Sequence, residues 1–162
     1  WDYTTITGLT HAANSSTLSF IPSSPTPNGG VTFVSGGRSF NIVTHSGITN
    51  SNVFSITGGP TIATLTLTGR ANVQFTNGTT TTITNAPVWS GTSANQLFIG
   101  SSNTTAVATI VLSAAGGTVD WAALRGLTVT TNSLTATNSF NLGSNTLITI
   151  TPPTGGARII GG

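Results

Sequence analysis

The sequence contains no cysteine, no methionine, no lysine and no glutamate. Its permanently charged side chains are four arginines and two aspartates, so 4% of the 162 residues are charged, against about 25% in ordinary globular domains. The lack of cysteine excludes disulfides and thiolate metal sites. Most glycoside hydrolases need two carboxyl groups beside the scissile bond, and the chain offers only Asp2 and Asp120. We therefore expect that this protein is not an enzyme.

The few basic residues do not form a patch. Because nucleic-acid-binding proteins cluster their lysines and arginines, the scattered arginines predict no nucleic-acid partner. His11 and His45 are too few to supply the three or four ligands of a zinc site, so we expect no metal and no cofactor. The longest mostly apolar stretch, residues 106–115, is too short to cross a bilayer. The arginines are Arg38, Arg70, Arg125 and Arg158.

Small polar residues and glycine dominate what is present: 34 Thr, 18 Ser, 14 Asn and 20 Gly make up more than half of the chain. Apolar and polar residues alternate with period two, which is typical of half-buried strands. Over residues 61–68 this pattern places Ala63, Leu65 and Leu67 on one face and threonines on the other. Residues 121–126 alone suggest a short helical turn, with Asp120 as its N-cap. Further strands are predicted at 31–34, 39–43, 53–57, 72–76, 79–84, 96–99, 105–112, 127–131, 133–137 and 147–151.

The pattern predicts an all-β fold. Short strands separated by tight gaps over residues 53–84, in a chain rich in Thr, Asn, Ser and Gly, favour a short β-solenoid, or β-helix, over the alternative of a β-sandwich or jelly roll. Residues 1–28, which include a proline-rich crossing, are predicted to form an N-terminal strand arm. Residues 29–162 are predicted to form a single all-β domain.

Two sets of residues are candidates for recognition. Trp89 lies in a turn-like segment and is either a core residue or an exposed aromatic that stacks on a sugar. The alternating segment that contains Tyr3, Thr5, Ile6 and Leu9 is predicted to be a strand, which either pairs with its own domain or is donated to a neighbouring subunit. The phenylalanines within strand patterns are expected in the core: Phe20, Phe33, Phe40, Phe54, Phe75 and Phe98.

Several segments resemble a known class of β-helical domain. These are Gly116-Gly117-Thr118-Val119-Asp120-Trp121, Leu134-Thr135-Ala136-Thr137-Asn138-Ser139, Asn141-Leu142-Gly143-Ser144-Asn145, and the stretch Val31 to Ile42. They are similar to rungs of the Thr/Asn/Gly-rich β-helical domains of surface-exposed phage structural proteins and of large secreted bacterial adhesins. The resemblance implies a scaffold role, and it transfers no catalytic residue because only scaffold positions match.

Scarce charge also bears on assembly. Soluble β proteins protect exposed strand edges with lysine, proline or bulges, and a chain without lysine is expected to have its edges covered by other subunits. We therefore expect a structural protein that self-associates, as a trimer or fibre, and contacts other subunits of an extracellular assembly. The leading hypothesis is capsid decoration or a fibre on a phage virion. The alternatives are a secreted filament or adhesin subunit assembled by strand donation, and a carbohydrate-binding module that uses Trp89.

Overall fold

The structure is a computed structural model that describes residues 16–21, 30–47 and 53–154. These residues contain sixteen strands and no helix. The strands are β1 Thr17–Phe20, β2 Val31–Val34, β3 Ser39–Gly47, β4 Val53–Thr57, β5 Thr61–Gly69, β6 Asn72–Phe75, β7 Thr80–Ile83, β8 Val88–Ser90, β9 Leu97–Ser101, β10 Ala108–Leu112, β11 Gly117–Asp120, β12 Ala122–Arg125, β13 Leu127–Thr130, β14 Leu134–Thr137, β15 Phe140–Asn141 and β16 Ile148–Ile150.

The strands form two parallel sheets. The six-stranded sheet has the order β2-β4-β6-β9-β12-β15, so each pass of the chain adds its strand beside that of the preceding pass. The ten-stranded sheet starts with β1, β3 and β5 and then divides, because the two ends of β5 pair with different strands, β7 and β8. One branch continues through β10 to β13, and the other through β11 and β14 to β16. The chain thus visits both sheets in turn.

The prediction of an all-β fold is confirmed. The alternative of a β-sandwich or jelly roll is wrong, because those folds are built from antiparallel strands and every strand pairing among the described residues is parallel. The pairings between β2 and β4 and between β3 and β5 are typical of both sheets.

The predicted helical turn at 121–126 is also wrong. Ala122 to Arg125 form β12, which pairs with β9 on one side and β15 on the other. Two residues with positive φ, Trp121 (50°) and Gly126 (66°), bracket the strand and turn the chain at its ends. Ala122 and Leu124 are completely buried. Burial between neighbouring strands therefore outweighs the local helical preference of the alanines and leucine.

Successive passes of the chain differ in length. Val31 pairs with Phe54, 23 residues later, whereas Phe54 pairs with Val73 after 19 residues and Val73 pairs with Ile99 after 26. The strands stay in register because the loops between them absorb the difference. This explains why no fixed repeat is visible in the sequence.

The alternation of buried and half-buried residues is interrupted in the nine-residue strands β3 and β5. In β5, Ile62, Leu65 and Leu67 are buried while Ala63 and Thr64 are only half-buried, so the alternation shifts by one residue there. The pairing between β3 and β5 skips the same point, where Asn41 and Ala63 lie. The prediction that Ala63 shares the buried face of Leu65 and Leu67 is therefore wrong.

The core runs between the two sheets and changes in character along the molecule. Its N-terminal part is aromatic: the rings of Phe20 and Phe54 are 4.9 Å apart, as are those of Phe33 and Phe40. Its C-terminal part is filled by aliphatic residues and alanines, among them fully buried Ala136. The Phe33–Phe40 pair is edge-to-face, an arrangement that stabilises a core beyond the area that it buries.

Small polar side chains connect one pass of the chain to the next. The hydroxyl of Ser35 donates to the carbonyl of Thr57 at 2.8 Å, 22 residues away. The amide of Asn145 donates to the carbonyl of Leu124 at 2.8 Å, 21 residues away. Both carbonyls also accept a backbone N–H, from Ser35 and from Leu142, so the side-chain bonds add to the backbone bonds between passes. They give a structural reason for the abundance of Ser, Thr and Asn.

The segment predicted as an N-terminal arm is described in part. Thr17 to Phe20 form β1, which pairs in parallel with β3 of the same chain, and Phe20 reaches the core. The rest of the 1–28 segment lies outside the described residues, apart from Ser16 and Ile21.

Candidate functional site

The described ionisable groups do not form a catalytic cluster. Asp120, at the end of β11, accepts hydrogen bonds from the hydroxyl of Thr137 at 3.0 Å and from the amide of Asn138 at 2.8 Å. Its carboxylate therefore ties β11 to the end of β14, and the predicted role as a helix N-cap is wrong. No group of three or more His, Cys, Asp or Glu residues that could hold a metal occurs within the described part of the chain.

His45 is a buried core residue. Its ring stacks on Phe54 with centroids 4.5 Å apart, and its Nδ1 lies 2.8 Å from the carbonyl oxygen of Phe20. Nδ1 must carry the proton to donate this bond, which leaves Nε2 as a buried acceptor for which the structure shows no partner. Burial lowers the pKa of His45, and the bond to the Phe20 carbonyl partly offsets that shift. A neutral imidazole that serves packing fits this environment.

Trp89 lies in the core. Its side chain is 1% exposed, and its indole Nε1 donates to the carbonyl of Leu65 at 3.0 Å. The prediction of an exposed recognition aromatic at this position is wrong, and the alternative of a packing role is confirmed. The physical reason is the alternation in β8, which turns Trp89 inward between exposed Val88 and Ser90.

Phe98 corrects the expectation that the strand phenylalanines lie in the core. Its neighbours Leu97 and Ile99 point inward and are buried, so Phe98 points to the outer face of the six-stranded sheet and is half-buried there. The other five predicted phenylalanines are buried: Phe20, Phe33, Phe40, Phe54 and Phe75.

Phe98 borders a hollow on this outer face. We call it the Arg125 hollow and define it by Gln74, Phe98, Gly100, Ala123, Arg125 and Leu142; its volume is about 220 Å³. The pairing of the strands explains the depression, because Gly100 of β9 lies between Gln74 of β6 and Arg125 of β12 in one row across the sheet. With no side chain at Gly100, the two polar side chains flank a gap one strand wide.

The side chain of Arg125 is half-buried, and no acidic side chain among the described residues pairs with it. Neither an ion pair nor a hydrogen bond of this guanidinium is found with any part of the chain that the structure describes. The described acid, Asp120, is held by Thr137 and Asn138. Arg125 therefore presents an uncompensated positive charge at the hollow, which attracts anionic groups.

The C-terminal edge of the sheets, Phe140–Asn141 and Ile148–Ile150, is a second feature of interest. Among the described strands, β15 pairs with β12 alone and β16 with β14 alone. Ile148 and Ile150 pack against the core but are only half-buried. From residue 127 to residue 154 the sequence contains no ionisable side chain. This edge therefore combines open backbone groups and apolar side chains without any charge.

The remaining predicted site residues, Tyr3, Thr5, Ile6 and Leu9, lie outside the described residues.

The Arg125 hollow was not predicted from the sequence, although one signal was present. Leu97, Phe98 and Ile99 are consecutive apolar residues, and in a strand one of them must face away from the core. A search for helices that could span a bilayer finds none in the described ranges.

Comparison with known proteins gives no match: no protein-family model, no curated protein and no solved structure matches this chain.

Proposed function

We propose that this protein is a non-enzymatic structural subunit of an extracellular assembly on the surface of a phage virion. We propose further that its two sheets form a short β-solenoid that joins other subunits through the C-terminal edge. The observation that carries the proposal is the open, uncharged state of that edge among the described residues. The setting on a virion follows from the resemblance of the Thr/Asn/Gly-rich segments to phage surface domains.

The solenoid is supported by the order of the strands. Each pass of the chain places one strand in the six-stranded sheet and one or two strands in the ten-stranded sheet, always parallel to those of the pass before. In a stack of this kind each pass is covered by the next one, and the last pass needs a terminal cap or a partner. Half-buried Ile148 and Ile150 mark the last described pass.

The edge suits association for two physical reasons. In a parallel pair, half of the backbone groups of an edge strand point away from its neighbour and can pair with another strand. Complete burial of Ile148 and of Ile150 by another subunit contributes about 1 kcal/mol for each side chain to the free energy of association. One such edge gives a weak contact, so stable association is expected where many subunits are held in one array.

The test compares two variants that add the same charge one residue apart. Ile150 points toward the core, because its partner in β14 is buried Ala136, whereas Thr149 points outward beside exposed Thr135. We expect Ile150→Lys to abolish self-association of the full chain in native mass spectrometry and sedimentation velocity. We expect Thr149→Lys to leave it intact.

Circular dichroism monitors folding in parallel, so that loss of association in a misfolded variant is not taken as support for the proposal. A wild-type chain that stays monomeric at high concentration contradicts the proposal. Equal association of both variants contradicts the role of the C-terminal edge.

Strand donation by the segment containing Tyr3, Thr5, Ile6 and Leu9 stays a prediction. Since β1 begins at Thr17 and pairs with β3 of its own chain, deletion of residues 1–15 removes the predicted donor and keeps β1. Loss of polymerisation in this variant, with the domain still folded, supports a filament assembled by donation. Undiminished polymerisation removes that alternative.

A further inference from the structure

We propose that the Arg125 hollow binds one carboxylate-bearing sugar residue, such as a glucuronic acid unit of an acidic polysaccharide. The proposal rests on side chains that the assembly through the C-terminal edge does not use. The two proposals can therefore fail independently of each other.

The charge of Arg125 favours an anionic ligand group. Arg125 is half-buried, and its guanidinium makes no ion pair or hydrogen bond with the described residues. A guanidinium presents a planar set of donors that matches the two oxygens of a carboxylate, and such charge-assisted pairs are stronger than neutral hydrogen bonds. The ligand group nearest Arg125 is therefore expected to be a carboxylate.

The spacing of the two polar side chains suits a single sugar ring. Gln74 and Arg125 lie two strands apart with Gly100 between them, and two strand spacings correspond to about 9.5 Å. This is the separation of the two strand backbones, so a ring that lies over Gly100 would have the Arg125 side chain on one side and the Gln74 side chain on the other. The amide has no hydrogen bond with the part of the chain that the structure describes, and it can both donate to and accept from hydroxyl groups.

The hollow also has an apolar side. Phe98 lies two residues before Gly100 on the same face of β9, and small Ala123 pairs beside it. The hollow therefore offers an aromatic ring and Leu142 to the apolar C–H face of a sugar. Phosphate or a simple carboxylic acid would bind to Arg125 but would make no contact with Phe98.

The size of the hollow limits the ligand to a single ring. Its volume of about 220 Å³ is below the range of about 300–1,000 Å³ that holds drug-sized ligands. One sugar residue would therefore occupy the hollow, and the rest of a polysaccharide would extend into solvent along the sheet.

Gly100 keeps the hollow open. A Cβ at this position would lie 2.8 Å from the carbonyl oxygen of Arg125 and 3.7 Å from its Cβ. A side chain here would collide with β12 and fill the space between Gln74 and Arg125.

The test is a titration of the full chain, followed by NMR shifts of backbone amides, with sodium glucuronate, glucose, acetate and phosphate as probes. We expect glucuronate to bind with a millimolar Kd and to shift the amides of Gly100 and Arg125. Because a hydrogen bond between charged groups is lost, glucose is expected to bind at least about tenfold more weakly. Acetate and phosphate are expected to bind more weakly than glucuronate because they do not contact Phe98.

Two variants and a matched control test the site itself. Arg125→Gln is expected to weaken glucuronate binding at least about tenfold, and Phe98→Thr to weaken it severalfold. Arg70→Gln removes the same charge from an exposed arginine outside the hollow and is expected to leave binding unchanged.

Three results would overturn the proposal. The first is the lack of a saturable shift at the highest soluble glucuronate concentration. The second is equal binding of acetate or phosphate, which would indicate an anion site without sugar recognition. The third is an equal loss of binding in the Arg70 and Arg125 variants, which would indicate non-specific attraction by net charge.

Discussion

Gly91 closes the corner that follows β8, and the addition of one methyl group there tests how tightly the passes of the chain approach each other. Gly91 is buried, and its N–H donates to the carbonyl of Asp120 at 2.9 Å. A Cβ at this position would lie 2.5 Å from the carbonyl oxygen of Trp121, 2.8 Å from that of Asn95 and 3.0 Å from the nitrogen of Leu97. All three are backbone atoms, so no side-chain rotation can make room.

The expected cost of Gly91→Ala has two parts. Overpacking of a close-packed site costs about 1–3 kcal/mol. The methyl group also displaces the Trp121 carbonyl, which accepts the N–H of Leu97 at 2.9 Å, and a buried group left unpaired costs about 1–3 kcal/mol. We expect a total loss of about 3 kcal/mol in the free energy of unfolding, which lowers Tm by about 6–12 °C in a chain of this length.

Urea unfolding followed by circular dichroism measures this loss, and Gly78→Ala is the control. Gly78 has a φ of 72° and nothing within 4 Å of an added Cβ, so alanine there suffers backbone strain alone, about 1–2 kcal/mol. If Gly91→Ala is no more destabilising than Gly78→Ala, the inference of a tight backbone corner is refuted.

Three further predictions concern buried or bonded polar groups. His45 has a lowered pKa in the folded chain, so the unfolded chain binds a proton at this residue more readily. The free energy of unfolding should therefore fall as the pH drops below about 6.5. Urea titrations at several pH values should show a smaller fall for His45→Leu. Trp89→Phe leaves the carbonyl of Leu65 without its indole donor and should cost about 2 kcal/mol by the same assay; no change would contradict the burial of that bond. Asp120→Ala should lower the free energy of unfolding by about 1 kcal/mol. Asp120→Asn keeps an acceptor for Thr137 and should lower it less. If the two variants are equally destabilised, the negative charge of Asp120 rather than its hydrogen bond to Thr137 stabilises the fold.

Much of the strand content could be predicted because alternation is a local property. Strands β2, β4, β6 and β14 coincide with predicted strands to within one residue, and Gly-rich segments such as 58–59 turn the chain between them. The segment 121–126 could not be predicted in this way. Its alanines, leucine and following glycine have the local signature of a short helix, and only pairing with β9 and β15 makes it a strand.

The candidate site could not be predicted from the sequence either, because it too depends on which strands become neighbours. Gln74, Gly100 and Arg125 are separated by about 25 residues each in the sequence, and they meet because β6, β9 and β12 lie side by side. The loops between these strands differ in length, so no repeat in the sequence indicates which residues share a row. Trp89 shows the converse: its turn-like surroundings suggested exposure, but alternation within β8 buries it.

The sequence by itself determined the all-β class, the scarcity of ionisable chemistry and the abundance of Thr, Ser, Asn and Gly that the corners require. These properties depend on residue type and on the two-residue period of a strand, which act over short distances. Tertiary structure alone decided that the sheets are parallel, that Phe98 faces outward and that Arg125 has no acidic partner among the described residues. Those outcomes depend on which strands become neighbours, and that choice is made by burial and backbone pairing between segments distant in the chain.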